Sequence, residues 1–277
     1  MALGLTHSSV YYHRTQAKLD APLVEQIKQL QHEHKHYGYR RVAIALRISK
    51  NKAQRLLKTY GLNPIPSPHQ RHYKQHKGIR LAPRNVLKED GIIAIYPNHI
   101  WACDFTYLWV SQLNRWYYLA TVIDIYTREI VGWSISIHHD SELILGALYD
   151  VLSKQQTPTY LHFDRGSEYL SSKHLDLLES LEIIPSASDK GSPWQNGFQE
   201  RFYGSFKTEL GSLKDIVSEG ILLERIALTL NYYNTKRIHT KLKTNPKQFR
   251  QNYNNSQNNK NILVTEVRDK VSKNSGS

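Results

Sequence analysis

From residue 100 the chain reads as three β-rich runs, IWACDFTYLWV (100–110), RWYYLATVID (115–124) and EIVGWSISI (129–137), parted by short breaks. Breaks of that length join antiparallel neighbours, so the three runs predict a meander. In the third run Val131, Trp133, Ile135 and Ile137 alternate with Gly132, Ser134 and Ser136, as one covered sheet face requires. Then come a helical pattern over 141–153 (Leu143, Ala147, Leu148, Val151), an apolar run over 160–163, a helix over 172–181, a strand over 183–186 and a helix over 194–213. Hairpin-joined strands followed by alternating helix and strand predict an α/β domain built on a mixed five-stranded sheet.

The segment before this domain has a different character. Residues 20–37 read as a helix, with Asp20 placed to cap it, Pro22 in its first turn, and Leu23, Ile27, Leu30 and His34 at helical spacing. Val42–Leu46 and Lys50–Tyr60 read as two short helices, with Ser49 as a cap and Gly61 as a stop. The pattern fits a helix-turn-helix, and fits equally an ordinary helical hairpin with a basic face. Residues 63–78 carry three prolines and no helical period, so 63–96 is expected to be a basic linker. After the domain, 219–234 looks helical through Leu222, Ile226, Leu230 and Tyr233, and QNYNNSQNNKN (251–261) reads as a loose low-complexity tract. The expected organisation is a helical region 1–62, the linker 63–96, a core 97–213, a helical segment 214–250 and a tail 251–277.

Charge is distributed as unevenly as structure. The chain carries 37 Lys and Arg against 24 Asp and Glu, a net +13. Residues 98–213 reverse the sign, with eight basic and 14 acidic side chains. Basic flanks suit a polyanion such as DNA, and an acidic island between them suits divalent cations. One cysteine, Cys103, rules out an intrachain disulfide and a Cys-rich zinc site. His32, His34, His36, His69, His72 and His76 lack acidic or thiol companions and read as surface histidines. No signal peptide and no membrane-length apolar run is evident, so a soluble, intracellular protein is expected.

The acidic island contains three carboxylates in informative places. Asp104 interrupts the first strand between Cys103 and Phe105, where burial is expensive unless something satisfies the charge. Asp164 ends the fourth strand in YLHFDRGSEY, where a turn explains it as readily as chemistry does. In SPWQNGFQERFYGSFKTEL (192–210) a helical wheel groups Phe198, Phe202, Phe206 and Leu210 on one stripe facing the sheet. Asn196, Glu200 and Lys207 fall opposite, with Lys207 about 10 Å beyond the acid. If the first and fourth strands are neighbours, the three acids converge. They would then hold two Mg²⁺ ions, which stabilise the attacking and leaving oxygens of a phosphoryl displacement.

These residues carry a resemblance. WACDFTYL, YYLATVIDIYTREIVGWSIS, HFDRGSEY and DKGSPWQNGFQERFYGSFKTEL, with 35 residues between Asp164 and Glu200, resemble the core of retroviral integrases and of bacterial insertion-sequence DDE transposases. YGYRRVAIALR and YYNTKRIHTKLKTNPKQF resemble the flanking segments of the two-reading-frame group, second-frame product. The resemblance implies a ribonuclease H-like catalytic core (retroviral integrase core) and Asp104, Asp164 and Glu200 as catalytic, metal-holding residues. It implies Mg²⁺ as cofactor, with Mn²⁺ able to substitute. The partners implied are double-stranded DNA of element ends and target, further copies of the chain in a dimer or larger assembly, and the first-frame product, fused or separate. The expected place of action is the bacterial cytoplasm at the nucleoid, away from membranes. Expected DNA contacts are Lys207 and Asn196 near the acids; Arg40, Arg41, Lys50, Lys52, Arg55 and Lys58 in the helical region; and Lys236, Arg237 and His239 in the C-terminal segment. Asn196 could equally orient Glu200. Asp124 and Gly166 are read as turn and packing residues. The implied activity is strand cleavage at element ends and strand transfer by the freed 3′-hydroxyl, through a circular intermediate. A nuclease without strand transfer and a catalytically inactive DNA-binding regulator are the alternatives.

Overall fold

A computed structural model describes residues 7–64, 82–154, 156–190 and 196–258, without the side chains of 7–16 and 18. The linker stretch 65–81 and the tail beyond 258 lie outside the described residues. The chain divides into two compact units, Met1–Pro68 with Ile238–Lys243, and His69–Arg237 with Thr244–Ser277.

The first unit holds α1 (His7–Glu33), α2 (Tyr39–Ala45) and α3 (Lys50–Thr59). Val24, Ile27, Tyr37, Val42, Ala43, Ala53, Leu56 and Leu57 form its core. Ser49 caps α3 by accepting from the Lys52 amide, and Gly61 takes φ +65° just past the helix end, both as expected. Asp20 is a correction. It caps nothing, because α1 begins well before it and runs on through Pro22. Its carboxylate is 1% exposed and receives both terminal nitrogens of Arg55 at 2.7 and 2.8 Å. Ile238–Lys243 belong to this unit, with the Ile238 amide donating to the Tyr37 hydroxyl at 2.7 Å and the Arg41 Nε to the Ile238 carbonyl at 2.8 Å.

The second unit opens with a single turn, α4 (Val86–Glu89), before its sheet. The strands β1 (Ile100–Val110), β2 (Arg115–Asp124), β3 (Ile130–Ser136), β4 (Tyr160–Phe163) and β5 (Ile184–Ala187) make one five-stranded sheet in the order β3-β2-β1-β4-β5. The meander β1–β2–β3 is antiparallel, and β4 and β5 add parallel to β1. Parallel strands need crossovers, supplied here by α5 (Ser141–Leu152) and α6 (Ser172–Ser180). These two cover one face, packing on Trp101, Cys103, Ala120 and Val122. Helices α7 (Gly197–Leu210) and α8 (Glu219–Thr235) cover the other, packing on Ile100, Ala102, Leu108, Leu119 and Ile123. This is a ribonuclease H-like mixed sheet with helices on both faces.

Residues 246–258 are helical, which corrects the reading of 251–261 as loose over 251–258; 259–261 lie outside the described residues. Apolar and charged anchors order that stretch against the turn after β2. The Phe249 and Tyr253 rings meet Tyr126 at 5.5 Å each, one tilted and one edge-on, and Arg250 reaches Asp124 at 2.9 Å.

Candidate active site

The register of β1 and β4 brings the first two acids together. Ile100 pairs with Tyr160, Trp101 with Leu161 and Ala102 with His162. Continued two steps further, just past the end of β4, the same register would bring Asp164 level with Asp104. Side chains paired across a parallel register point the same way, here toward the α7 face on which Ile100 and Ala102 pack. Strand β4 has just ended, and the Asp164 carboxylate accepts from the Gly166 amide at 2.8 Å, which turns the chain away. The turn function and the carboxylate's placement are therefore compatible, and one side chain serves both.

Three side chains, Asn196 just ahead of α7 and Gln199 and Tyr203 within it, hold that helix on the strand carrying Asp104. Gln199, fully buried, donates to the Ala102 carbonyl at 2.6 Å and the Thr121 carbonyl at 3.0 Å. Tyr203 donates to the Asp104 carbonyl at 2.6 Å, and Asn196 to the Cys103 carbonyl at 3.3 Å. Residues at these intervals line one helix face, so α7 is read into β1 along three consecutive peptides. Exposed Glu200 is carried on the first turn of that helix. The buried face is thus Gln199, Phe202, Tyr203, Phe206 and Leu210, and Phe198 is a correction to the expected stripe. Phe198 is 38% exposed, with the Arg128 guanidinium 4.0 Å above its ring. The polar anchors Gln199 and Tyr203 were missed because the phenylalanine spacing alone accounted for the helix.

Electrostatics ties the acids into one field. Burial, then Asp164, then Glu200 and Glu168, push the Asp104 carboxyl well above the usual carboxylate range, against a bond from the Phe105 amide. Glu168 is an unexpected fourth acid. A Cβ on Gly166 would lie 2.5 Å from a Glu168 carboxylate oxygen and 3.0 Å from an Asp164 oxygen. Its signal was present in DRGSEY, where a glycine between two acids lets both carboxylates approach the same backbone. The oxygen-only donor set fits hard divalent cations such as Mg²⁺. Among the described residues no three His, Cys, Asp or Glu side chains are gathered tightly enough to hold a metal ion by themselves. Such ions keep water and substrate phosphate in their coordination shells, so an open acidic cradle suits them.

The other expected contacts separate into two groups. Arg40, Lys50, Lys52, Lys58, Lys207 and Lys236 are exposed. Arg55, Arg41 and Arg237 are each engaged inside their own unit. Arg55 is clamped to Asp20, and Arg41 bonds the Ile238 carbonyl. Arg237 is buried against Glu209 at 3.3 Å and Ser205 at 2.9 Å. Asn196 is 4% exposed, and His239 is half-buried. No described helix is long and apolar enough to cross a membrane.

Comparison with known proteins places this geometry in context. Two family models, both described as integrase core domain, match residues 96–193 and 181–246. The transposase for insertion sequence element IS904 of Lactococcus lactis is 31% identical over 237 residues, 82% of this chain and 92% of that protein. The putative transposase InsK for IS150 of Escherichia coli K12 is 32% identical over 255 residues, covering 87% and 88%. Among solved structures, a simian T-cell lymphotropic virus intasome in complex with PP2A regulatory subunit B56 gamma aligns at TM-score 0.51 and 20% identity, over 81% of this chain and 74% of that one. The HTLV-2 integrase catalytic core domain in complex with magnesium aligns at TM-score 0.46 and 20% identity, over 57% and 99%.

Proposed function

The chain belongs to the insertion-sequence transposases with an integrase core domain, and from that premise we propose that it cuts one DNA strand at each element end and joins the freed 3′-hydroxyl to a second phosphodiester. The observation that supports this reading is the β1–β4 register, which, extended two residues past Ala102 and His162, would align Asp104 with Asp164 on the sheet face that α7 covers.

In the first step water attacks phosphorus at the element boundary and the bond to the 3′ oxygen breaks. A 3′-hydroxyl is left on the element and a 5′-phosphate on the flank. In the second step that hydroxyl attacks a new phosphodiester and displaces its 3′ oxygen, so one bond forms for each broken and no external energy source is needed. Asp104, Asp164 and Glu200 would hold two Mg²⁺ ions, or Mn²⁺, whose charge stabilises the oxygens entering and leaving phosphorus. Gln199, Tyr203 and Asn196 keep α7, and with it Glu200, in register with Asp104. Lys207, further along the same helix, meets a backbone phosphate. The exposed Arg40, Lys50, Lys52 and Lys58 of the first unit and Lys236 engage duplex DNA. Two ends must be joined, so the active species is a dimer or larger assembly of the chain, producing a circular intermediate before integration. A first-frame product, fused or separate, contributes to recognition of the ends, and the work is done on nucleoid DNA in the bacterial cytoplasm.

The test is to incubate the purified chain with duplex DNA from its element's ends, with Mg²⁺ and with EDTA, and to read products on a sequencing gel. Nicking at the boundary followed by joined strands, both abolished by EDTA, is expected. Asp104→Asn and Glu200→Gln should each lower both products by at least roughly a hundredfold in folded protein. Strand transfer that survives either substitution overturns the assignment. Cleavage without joining reduces the protein to a nuclease.

A further inference from the structure

The turn that joins β2 to β3 holds an arginine in a conformation and a place that both cost free energy. Arg128 sits at φ +63°, the left-handed region that a residue with a Cβ adopts only against resistance. A turn needing this backbone shape alone would be better served by glycine or asparagine. Yet the shape is fixed from several sides. The Arg128 amide donates to the Asp124 carbonyl at 2.8 Å, and the buried Asp124 carboxylate accepts from the amides of Tyr126 and Thr127. Arg250 reaches the same carboxylate. Just beyond the turn, Asn234 of α8 accepts from the Ile130 amide and donates to its carbonyl.

What this turn presents is a guanidinium. Arg128 is only 7% exposed, and its Nη1 is buried without a hydrogen-bond partner among the described residues. Burial pushes the group down to about 10, so the place is a poor one for a charge. The guanidinium carbon stands 4.0 Å from the centre of the Phe198 ring, in cation–π contact. Phe198 lies in the first turn of α7, two residues before Glu200. Successive helical residues are about 100° apart around the axis. Asn196, Gln199 and Tyr203 make one line of anchors to β1, so Phe198 and Glu200 stand on either side of that line. A roll of the helix about its anchors would lift one as it lowers the other. A contact that holds Phe198 therefore holds Glu200.

We propose that Arg128 is a positioning residue for Glu200, fixing through the Phe198 ring the direction in which α7 presents that carboxylate. The proposal deepens the transposase reading and rests on it. Two observations favour this role over plain packing. An arginine placed for stability would meet a carboxylate, as Arg237 and Arg250 do in the same unit, and would not leave a buried donor unmatched. Nor does the contact complete the core, because Phe198 is itself 38% exposed and stands outside the cluster buried beneath α7. Backbone strain persists where the surroundings hold a neighbouring group to one geometry. Here the neighbouring group is the first turn of α7, and the acid it carries is one of the three read as holding metal. Residues that orient a metal-holding side chain matter to the metal nearly as much as the ligands do.

The test uses the full chain with Arg128→Gly, which removes the guanidinium and relieves the backbone, and Arg128→Lys as the conservative variant. Phe198→Leu and the double variant complete a cycle. Arg128→Gly should melt within about 3 °C of wild type, since relief of strain offsets the lost packing. Its midpoint for stabilisation by Mg²⁺ alone, read as a thermal shift without DNA, should rise roughly tenfold. Single-turnover cleavage at saturating element-end DNA should slow by about 10- to 100-fold while affinity for that DNA is unchanged. Arg128→Lys should recover part of both losses. Phe198→Leu should reproduce them, and the double variant should be no worse than either single one, because the two residues act in series. Adding Arg128→Gly to Glu200→Gln should raise the Mg²⁺ midpoint no further. Effects that multiply in either double variant overturn the proposal, because Arg128 then acts by another route. A variant that loses stability but, once folded, binds Mg²⁺ and cleaves as wild type does marks a merely structural arginine and overturns it too. So does weakened DNA binding with an unchanged rate at saturation, which makes Arg128 a DNA contact. Where Arg128→Gly fails to fold, Arg128→Lys and Phe198→Leu carry the same comparison. If the wild type cleaves no element end, the transposase reading fails and the Mg²⁺ midpoints alone decide whether Arg128 positions Glu200.

Discussion

Gly166 is where the site depends most finely on a single atom. Its backbone amide holds Asp164, and the space a Cβ would fill is occupied by carboxylate oxygens of Glu168 and Asp164. In Gly166→Ala the longer Glu168 side chain swings aside at little cost, whereas Asp164 must shift by a few tenths of an ångström. The expected result is a melting temperature within about 2 °C of wild type and a cleavage rate reduced roughly 10- to 100-fold, because small misplacements of reacting groups are expensive. Calorimetry and single-turnover cleavage measure the two. Asp104 gives a prediction with a sign. Its carboxyl is raised above the ordinary value of 3.8, so between that value and the raised one the folded state binds more proton than the unfolded chain. Without divalent metal, the stability contributed by this group falls as pH climbs through that window. Asp104→Asn should flatten the dependence and raise the metal-free melting temperature at neutral pH by roughly 2–4 °C, about 1 kcal/mol in a domain of this size. Added Mg²⁺ should then stabilise wild type and leave the variant unchanged.

At the scale of elements, α7 and the helix over 246–258 show how polar anchors set the sheet's surroundings. Asp124 is fully buried and accepts from the amides of Asn98, Tyr126 and Thr127, while Arg250 brings the countercharge at 2.9 Å. The same guanidinium also pairs with Glu129. Removing one partner leaves a buried charge uncompensated, so Arg250→Ala should destabilise the protein by about 3 kcal/mol in urea unfolding, and Asp124→Asn should recover part of that loss. The strands were legible because their alternation and breaks are local signals. Residues 100–110, 115–124 and 160–163 are strands as read, and the 183–186 expectation falls one residue early of Ile184–Ala187. What was not legible depended on distant partners. An acid two residues before a proline looks like a helix start, but Asp20 finds Arg55 thirty-five positions away and the helix continues. Asparagine-rich sequence looks loose until Arg250 and Phe249 tie it to the turn after β2. The candidate acids were legible through spacing, while Glu168, Gln199 and Tyr203 were not, since their roles exist only once β1, β4 and α7 are assembled.

For the molecule as a whole, the proposed function gives the chemistry to the net-acidic stretch 98–213 and duplex binding to the exposed basic residues of the first unit. Replacing Arg40, Lys50, Lys52 or Lys58 by alanine should weaken duplex binding similarly for all sequences. Each replacement should reduce the slope of log affinity against log salt by about 1, read by fluorescence anisotropy between 50 and 200 mM salt. Arg55→Ala should instead lower stability, because its guanidinium holds the buried Asp20. The six residues Ile238–Lys243, which leave the catalytic unit's chain to join the first unit, carry a consequence for inheritance and engineering. A DNA-binding module is ordinarily exchanged as one uninterrupted stretch of gene. Here the first unit is discontinuous, since its last piece, Ile238–Lys243, is encoded after Glu200. A graft of residues 1–64 from a relative would arrive without its matching partner for Tyr37 and Arg41. Recombination that shuffles recognition between such elements must therefore carry both pieces together, or preserve the short one.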